Sequence, residues 1–163
     1  MRRFSKLKKR IESLFLPDIN LEIRCTCYGY IGWAGYRELP RFWITLNKEI
    51  IFDFIKDFGY EAIVPDPYSP YLDYIRPVYY SDIESINNLI QEYIETPVNT
   101  LFNHVFDKDY FGLTDILKAA DRRIGKNRLL VLKEKTQSEA VKKVIDKRFI
   151  LGGIDKEIIK LKT

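Results

Sequence analysis

The sequence predicts one α+β domain spanning residues 1–163: an N-terminal helix packed on a three-stranded antiparallel meander, followed by a mainly helical C-terminal half. Two changes of hydrophobic period and two capping signals predict it. Apolar side chains recur every three or four residues over 4–15, and every second residue from Leu21 to Cys27 and again from Phe42 to Leu46. Helical spacing returns after Ser81. At 163 residues the chain can bury one core of ordinary size.

Phe4, Leu7, Ile11, Leu14 and Phe15 share a helix face opposite Lys6, Lys9, Arg10 and Ser13, and Pro17 is expected to stop that helix. Leu21, Ile23, Cys25 and Cys27 then alternate with Glu22, Arg24, Thr26 and Tyr28, as in a half-buried strand. A glycine-rich connection (Gly29, Gly32, Gly35) leads to a second run with Phe42, Ile44 and Leu46 on one face. Asn47-Lys48 reads as a tight turn into a third run, Ile50 to Ile55.

Over 58–80, Pro65, Pro67, Pro70 and Pro77 break any period, so an irregular excursion of about 20 residues is expected, a length usually tied to function or flexibility. Ser81-Asp82-Ile83-Glu84 is a capping box. The helix it opens turns Ile83, Ile86, Leu89, Ile90, Tyr93 and Ile94 inward, and Glu84, Asn87, Asn88, Gln91, Glu92 and Glu95 outward. A further helix is expected with Thr114 as cap, Leu117, Ala120 and Ile124 inward, and Gly125 just past its end. Residues 128–133 fit strand or helix. Thr136-Gln137-Ser138-Glu139 is a second capping box, for a helix running to about Phe149 and broken by Gly152-Gly153. The Ile/Lys-rich tail has room for one more short element.

Charged residues at 31% and hydrophobic ones at 46% are ordinary for a folded protein, and 14% aromatics argue against disorder. Lys6, Lys8, Lys9, Arg10 and Glu12 interrupt any apolar signal region after Met1-Arg2-Arg3-Phe4. No run reaches the roughly 20 apolar residues that span a bilayer. The two cysteines cannot make a disulfide framework, so a reducing, cytosolic setting is expected.

Charge is sorted along the chain. Residues 57–107 hold nine acidic side chains, one basic one (Arg76) and seven of the eleven tyrosines. Residues 1–16 carry six Lys/Arg against Glu12, and residues 117–163 carry fourteen against six acids. Three readings of the basic ends stand side by side: a phosphate-binding surface, solvated helix faces with Arg122 and Arg123 complementing a helix end, or internal pairing with the acidic middle.

The constellations that can carry chemistry are thin. Cys25 and Cys27 share a strand face with Leu21 and Ile23, and His104 is the only histidine, so no zinc site is assembled and a Cys-His pair lacks a motif. Gly29-x-x-Gly32-x-x-Gly35 lacks the ending of a phosphate loop. Asp53, Asp57, Glu61 and Asp66, with Asp107 and Asp109, read as solvated surface. No metal, cofactor or catalytic residue is expected.

The acidic, proline-broken middle holds more rings than its prolines let it bury. Tyrosine gives large contact area at low entropic cost, and surrounding carboxylates attract a basic partner. Glu61, Asp66, Asp73, Asp82 and Glu84, with Tyr68, Tyr71 and Tyr74 as anchors, are therefore the expected partner-binding residues. Arg122, Arg123, Lys126 and Arg128 are the expected contacts of the alternative, nucleic acid.

Ser5-Lys6-Leu7-Lys8-Lys9-Arg10-Ile11-Glu12 and Asp121-Arg122-Arg123-Ile124-Gly125-Lys126-Asn127-Arg128-Leu129 resemble stretches of a family of small, uncharacterised bacterial proteins. Its members open with a Trp-Ser-Lys-Leu-type helix, continue into strands and later carry Asp-Arg-Arg-x-Gly-Lys-Arg-Arg-Leu. Phe4 stands here for the usual tryptophan, and Asn127 for an arginine. The resemblance implies a cytosolic accessory protein and lends no activity. It also implies a setting beside polymorphic toxins, which makes the expectation concrete: a non-enzymatic immunity protein masking the basic active-site region of a toxin domain.

Overall fold

The computed structural model describes residues 4–32, 35–53, 63–65, 75–77, 83–109 and 112–152, and the side chains of these except 26–41, 63–65, 75–77 and 83–85. The chain runs α1 (Phe4–Glu12), β1 (Leu21–Gly32), β2 (Gly35–Leu46), β3 (Glu49–Asp53), β4 (Ile63–Pro65) and β5 (Ile75–Pro77). It continues through α2 (Ile83–Glu95), α3 (Val98–Leu101), α4 (Leu113–Ala120), α5 (Lys126–Lys135) and α6 (Glu139–Leu151). Helix, antiparallel sheet, then mostly helices is the α+β layout expected.

Helix α1 buries Leu7 and Ile11, but it ends at Glu12, earlier than expected and well before Pro17. Tertiary pairing overrides the local period. Leu14 and Phe15 turn back on the helix through bonds to Ile11 O and Glu12 O, and Phe15 then forms a bridge with Asp121. Buried Phe15 and Ile19 fasten the connection to β1 on the core.

The sheet has the order β1-β2-β3. Leu21↔Leu46, Ile23↔Ile44 and Cys25↔Phe42 are the register pairs that set one face against the core. The glycines do not form the connection expected: both strands continue through them, with Gly29 opposite Glu38 and Gly32 opposite Gly35. Pro40, which has no N–H for a ladder, sits where β2 pairs β1 only, since β3 reaches no further than Trp43. Asn47 and Lys48 both take positive φ, 51° and 70°, as the turn of a tight hairpin requires. The stretch 58–80 is not wholly irregular: β4 and β5 pair antiparallel, Ile63↔Pro77, Val64↔Arg76 and Pro65↔Ile75. Three-residue strands flanked by prolines leave no readable period.

Helix α2 turns Ile86, Leu89, Ile90 and Tyr93 into the core. Asn87, expected outside, is buried with them, because it lies beside Ile86 and Ile90 on the inner arc. Ser81 and Asp82 of the expected capping box lie outside the described residues. Thr114 does not cap α4. It lies inside the helix, after Gly112 at φ 77°, and Asp109 does the capping: its oxygens accept from Leu113 N at 2.9 Å and Thr114 N at 2.7 Å. A carboxylate spanning two free amides outcompetes one hydroxyl, and it also suits the positive helix end.

Gly125 is likewise not a helix-ending residue. With φ −77° and ψ 166° it is extended and precedes α5, which settles 128–133 as helix. At α6 the cap is Ser138 rather than Thr136: Ser138 Oγ accepts from Val141 N at 3.3 Å, while Thr136 Oγ1 accepts from Ser138 N at 3.1 Å. The helices close over the sheet in one apolar cluster that includes Ile11, Ile23, Ile44, Ile90, Leu117 and Ile145.

Replacing Lys48 by glycine should stabilise the fold by roughly 0.5 kcal/mol. The left-handed conformation costs a lysine about 1 kcal/mol, partly offset by glycine's freer unfolded chain. Thermal unfolding checks this, with a raised midpoint expected.

Candidate functional site

The described fold converges on Asp121, the first residue after α4. Its side chain is fully buried. Asp121 Oδ2 accepts from the Tyr93 hydroxyl at 3.0 Å, and Oδ1 accepts from Arg123 N at 2.9 Å. The Arg123 guanidinium reaches both oxygens, with Nη2 at 2.6 Å from Oδ2. The carboxylate is therefore fully engaged, as a buried charge must be.

The main chain around Asp121 is held as firmly. Asp121 N donates to Leu117 O, Leu16 N to Ala120 O, and Arg122 N to Leu14 O, each at 2.9 Å. From α6, the Arg148 guanidinium donates to the carbonyls of Ala119 (3.1 Å), Asp121 (2.8 Å) and Ile124 (3.0 Å). These oxygens belong to the end of α4 and the turn after it, where helical partners run out. On one of the three readings Arg122 and Arg123 complement that helix end; Arg148 does so instead, because Arg123 is drawn to the carboxylate two residues away.

Electrostatics follow the geometry. Burial first, then the Asp121 charge, push the Tyr93 hydroxyl far above its ordinary value, so it stays a neutral donor. Hydrogen bonding to Asp121 raises Arg123, while desolvation lowers Arg148. Glu12, at the end of α1, is raised chiefly by burial, although Ile23 N donates to it at 3.0 Å and Lys8 Nζ lies 3.6 Å away.

The expected partner-binding residues Glu61, Asp66, Tyr68, Tyr71, Asp73, Tyr74 and Asp82 lie outside the described residues, and Glu84 falls in α2 with its side chain outside them. The four expected nucleic-acid residues are separated by the fold. Arg123 is taken by Asp121, whereas Arg122, Lys126 and Arg128 are exposed. Gly125, Lys126, Asn127 and Arg128 line a shallow depression at the start of α5, whose cap residue offers no side-chain bond, and the Arg128 guanidinium lies 5.7 Å from the Phe102 ring centroid.

The outer face of α2 carries exposed Glu92 and Glu95, as expected, and hydrogen bonds tie it to its surroundings. Arg10 Nη1 donates to Gln91 Oε1 at 3.2 Å, Gln91 donates to Glu95, and His104 Nε2 lies 3.0 Å from Glu92 Oε1. Sequence reasoning missed Asp121, Tyr93, Arg148 and Lys118. Lys118 is buried, 3.6 Å from Asp115 and 5.5 Å from the Phe106 ring centroid. The one available signal was Asp121 itself, a lone acid opening an arginine-rich run after an apolar helix face. Among the described residues no helix is long and apolar enough to cross a membrane, and no group of His, Cys, Asp or Glu is placed to hold a metal ion.

Fold and site define an α+β scaffold pinned by a buried Asp–Tyr–Arg cluster. The chain belongs to the SF0329 protein family, whose sequence model matches residues 3–64 and 76–149, both resembling stretches included. No curated protein and no solved structure matches it. The family match breaks off at Val64 and resumes at Arg76, which are ladder partners across β4 and β5.

Asp121→Asn should cost about 3–5 kcal/mol, because it leaves Arg123 without its counter-charge. Tyr93→Phe should cost only about 1–2 kcal/mol, since the carboxylate keeps its other donors; urea unfolding of the two variants checks the ranking. A second expectation concerns pH. The raised Glu12 keeps its proton to higher pH when folded than an ordinary glutamate does, so its contribution is most favourable below the ordinary value and is lost as pH rises through the folded one. Glu12→Gln can still accept from Ile23 N without carrying this charge. Its stability relative to wild type should therefore improve between about pH 4 and pH 7, as measured by urea unfolding at both.

Proposed function

We propose that this protein is a non-enzymatic protein-binding module acting in the cytosol, and in its most concrete form an immunity protein that masks the basic active-site region of a toxin domain. The observation that carries the reading is the position of the break in the family match. The stretch left unmatched, residues 65–75, begins and ends next to the ladder pair Val64↔Arg76, so the match is lost and regained at neighbouring positions of the scaffold. That segment holds three tyrosines, two aspartates, three prolines and no basic residue. Amphipathic rings and one sign of charge suit recognition of a basic protein surface. A stretch that the family model does not match also suits a partner particular to this chain. Glu61, Asp82 and Glu84 would add negative charge on either side.

One observation favours nucleic acid as the second reading. Arg122, Lys126 and Arg128 are exposed, and the latter two lie in the first turn of α5, whose N-cap Gly125 makes no side-chain cap bond. Arg123 does not belong to that surface.

Replacing Tyr68, Tyr71 and Tyr74 together by alanine should leave the unfolding midpoint unchanged and weaken partner binding by at least about 100-fold. The check is quantitative co-purification from the native host, wild type against triple variant, with a basic polypeptide lost from the variant. Undiminished recovery would sink the reading. Oligonucleotide binding that falls steeply with salt would move the assignment to the second.

A further inference from the structure

The ladder between β1 and β2 runs through the whole of both 12-residue strands, whereas β3 pairs only with Trp43 to Leu46. Among the described residues the sheet beyond Trp43 is therefore a two-stranded ribbon, an arrangement that is marginal in water by itself. One face of the sheet is taken. Leu21↔Leu46, Ile23↔Ile44 and Cys25↔Phe42 set it against the core, where buried Leu7 and Ile11 of α1 join them. The intervening pairs belong to the other face, because positions alternate along a strand. They are Arg24↔Trp43, Thr26↔Arg41, Tyr28↔Leu39 and Tyr30↔Arg37, with no shift of register among them. That face thus combines three arginines with three aromatic residues, and its one acid is Glu22. Glu38 falls among the core-side positions, opposite Gly29. Where the ribbon meets the body, Arg24 is exposed, Trp43 is half-buried, and Arg24 Nη2 donates to Glu22 Oε2 at 2.6 Å. With 48% and 45% of their side chains open to solvent, these two hold each other weakly.

We propose that this face of the β1–β2 ribbon is a seat for single-stranded nucleic acid. Bases stack on aromatic rings whatever their sequence, while guanidiniums meet phosphates and also lie flat on bases. Spacing selects the single strand. Neighbouring positions of one face lie about 6.6 Å apart along a β-strand, roughly twice the 3.4 Å rise of a stacked nucleotide. A single strand stretches to that interval and can lay successive bases on successive rings. A duplex keeps its bases stacked, so it would engage the arginines and leave the rings unused. A run of carboxylates on an acidic protein would also satisfy the arginines, but it offers nothing flat to cover the rings.

This seat goes beyond the protein-binding reading and can fail without it. Its charge is opposite to that of the tyrosine-rich segment, so the basic partner proposed there is repelled here. The full chain is titrated, by fluorescence anisotropy, into a labelled single strand of about 12 nucleotides and into the matching duplex, with polyglutamate as competitor. The single strand should bind more tightly than the duplex, and its affinity should fall as salt rises. Replacing Tyr28 and Tyr30 by valine, which keeps strand propensity, should weaken binding at least about tenfold and leave the salt slope unchanged. Replacing Arg37 and Arg41 by glutamine should lower that slope by about 0.7 for each arginine. Glu22→Gln releases Arg24 and should tighten binding by about threefold, a gain that no misfolded variant imitates. Absence of single-strand binding at low salt, equal affinity for the duplex, or undiminished binding after the tyrosine replacements would overturn the proposal. Full competition by polyglutamate would overturn it in favour of an acidic protein. Binding lost on replacing Arg122, Lys126 and Arg128, but kept in the ribbon variants, would overturn it in favour of the surface at α5.

Discussion

One buried carboxylate holds the described fold together. Asp121 receives a tyrosine from α2 and an arginine from the turn after α4, its carbonyl receives an arginine from α6, and its main chain bridges the segment after α1. Four separated parts of the chain thus agree on one position. Apolar packing alone is tolerant of small shifts, because dispersion and burial have little direction. Hydrogen bonds to a desolvated charge are not tolerant, since each misplaced donor leaves an unmatched group in a low-dielectric interior. The cluster therefore sets the register in which the helices close over the sheet.

The same cluster divides the charge of the basic C-terminal section into two populations. Arg123 and Arg148 are half-buried and bonded within the fold, and Lys133 pairs with Asp146 across α5 and α6 at 2.5 Å. Arg122, Lys126 and Arg128 remain outside. Net charge along a sequence is thus a poor guide to the field around the molecule. In this chain the strongest interactions of the positive end are spent on carbonyl oxygens and on one aspartate.

What the sequence made legible was whatever is local. Leu7 and Ile11, or Leu21 and Ile23, carry their period within a few residues, and Asn47-Lys48 signals its turn unaided. Errors arose where a partner lies far along the chain. The end of α1 is drawn away by Asp121, more than a hundred residues later. Gly125 follows two arginines in a way that suits a helix end as well as a helix start, and only its ψ of 166° distinguishes them. Thr114 lost its capping place to an aspartate five residues back, across a left-handed glycine. The cluster itself was hidden because an aspartate among arginines reads as mere charge relief. The expected tyrosine anchors fall outside the described residues, so only the ladder that bounds their segment bears on them.

The pairing of Phe15 with Asp121 also has a consequence for how the molecule is made. The hairpin of β1 and β2 is complete once the first third of the chain has emerged from the ribosome, but the helices that cover its apolar face come much later. At ordinary translation speeds of about 5–20 residues per second, the wait is several seconds. During that interval Ile23, Phe42 and Ile44 have only the amphipathic first helix to shelter them. The lysines and arginines crowded into that helix would then repel their counterparts on neighbouring nascent chains, which would help keep the unfinished sheets apart.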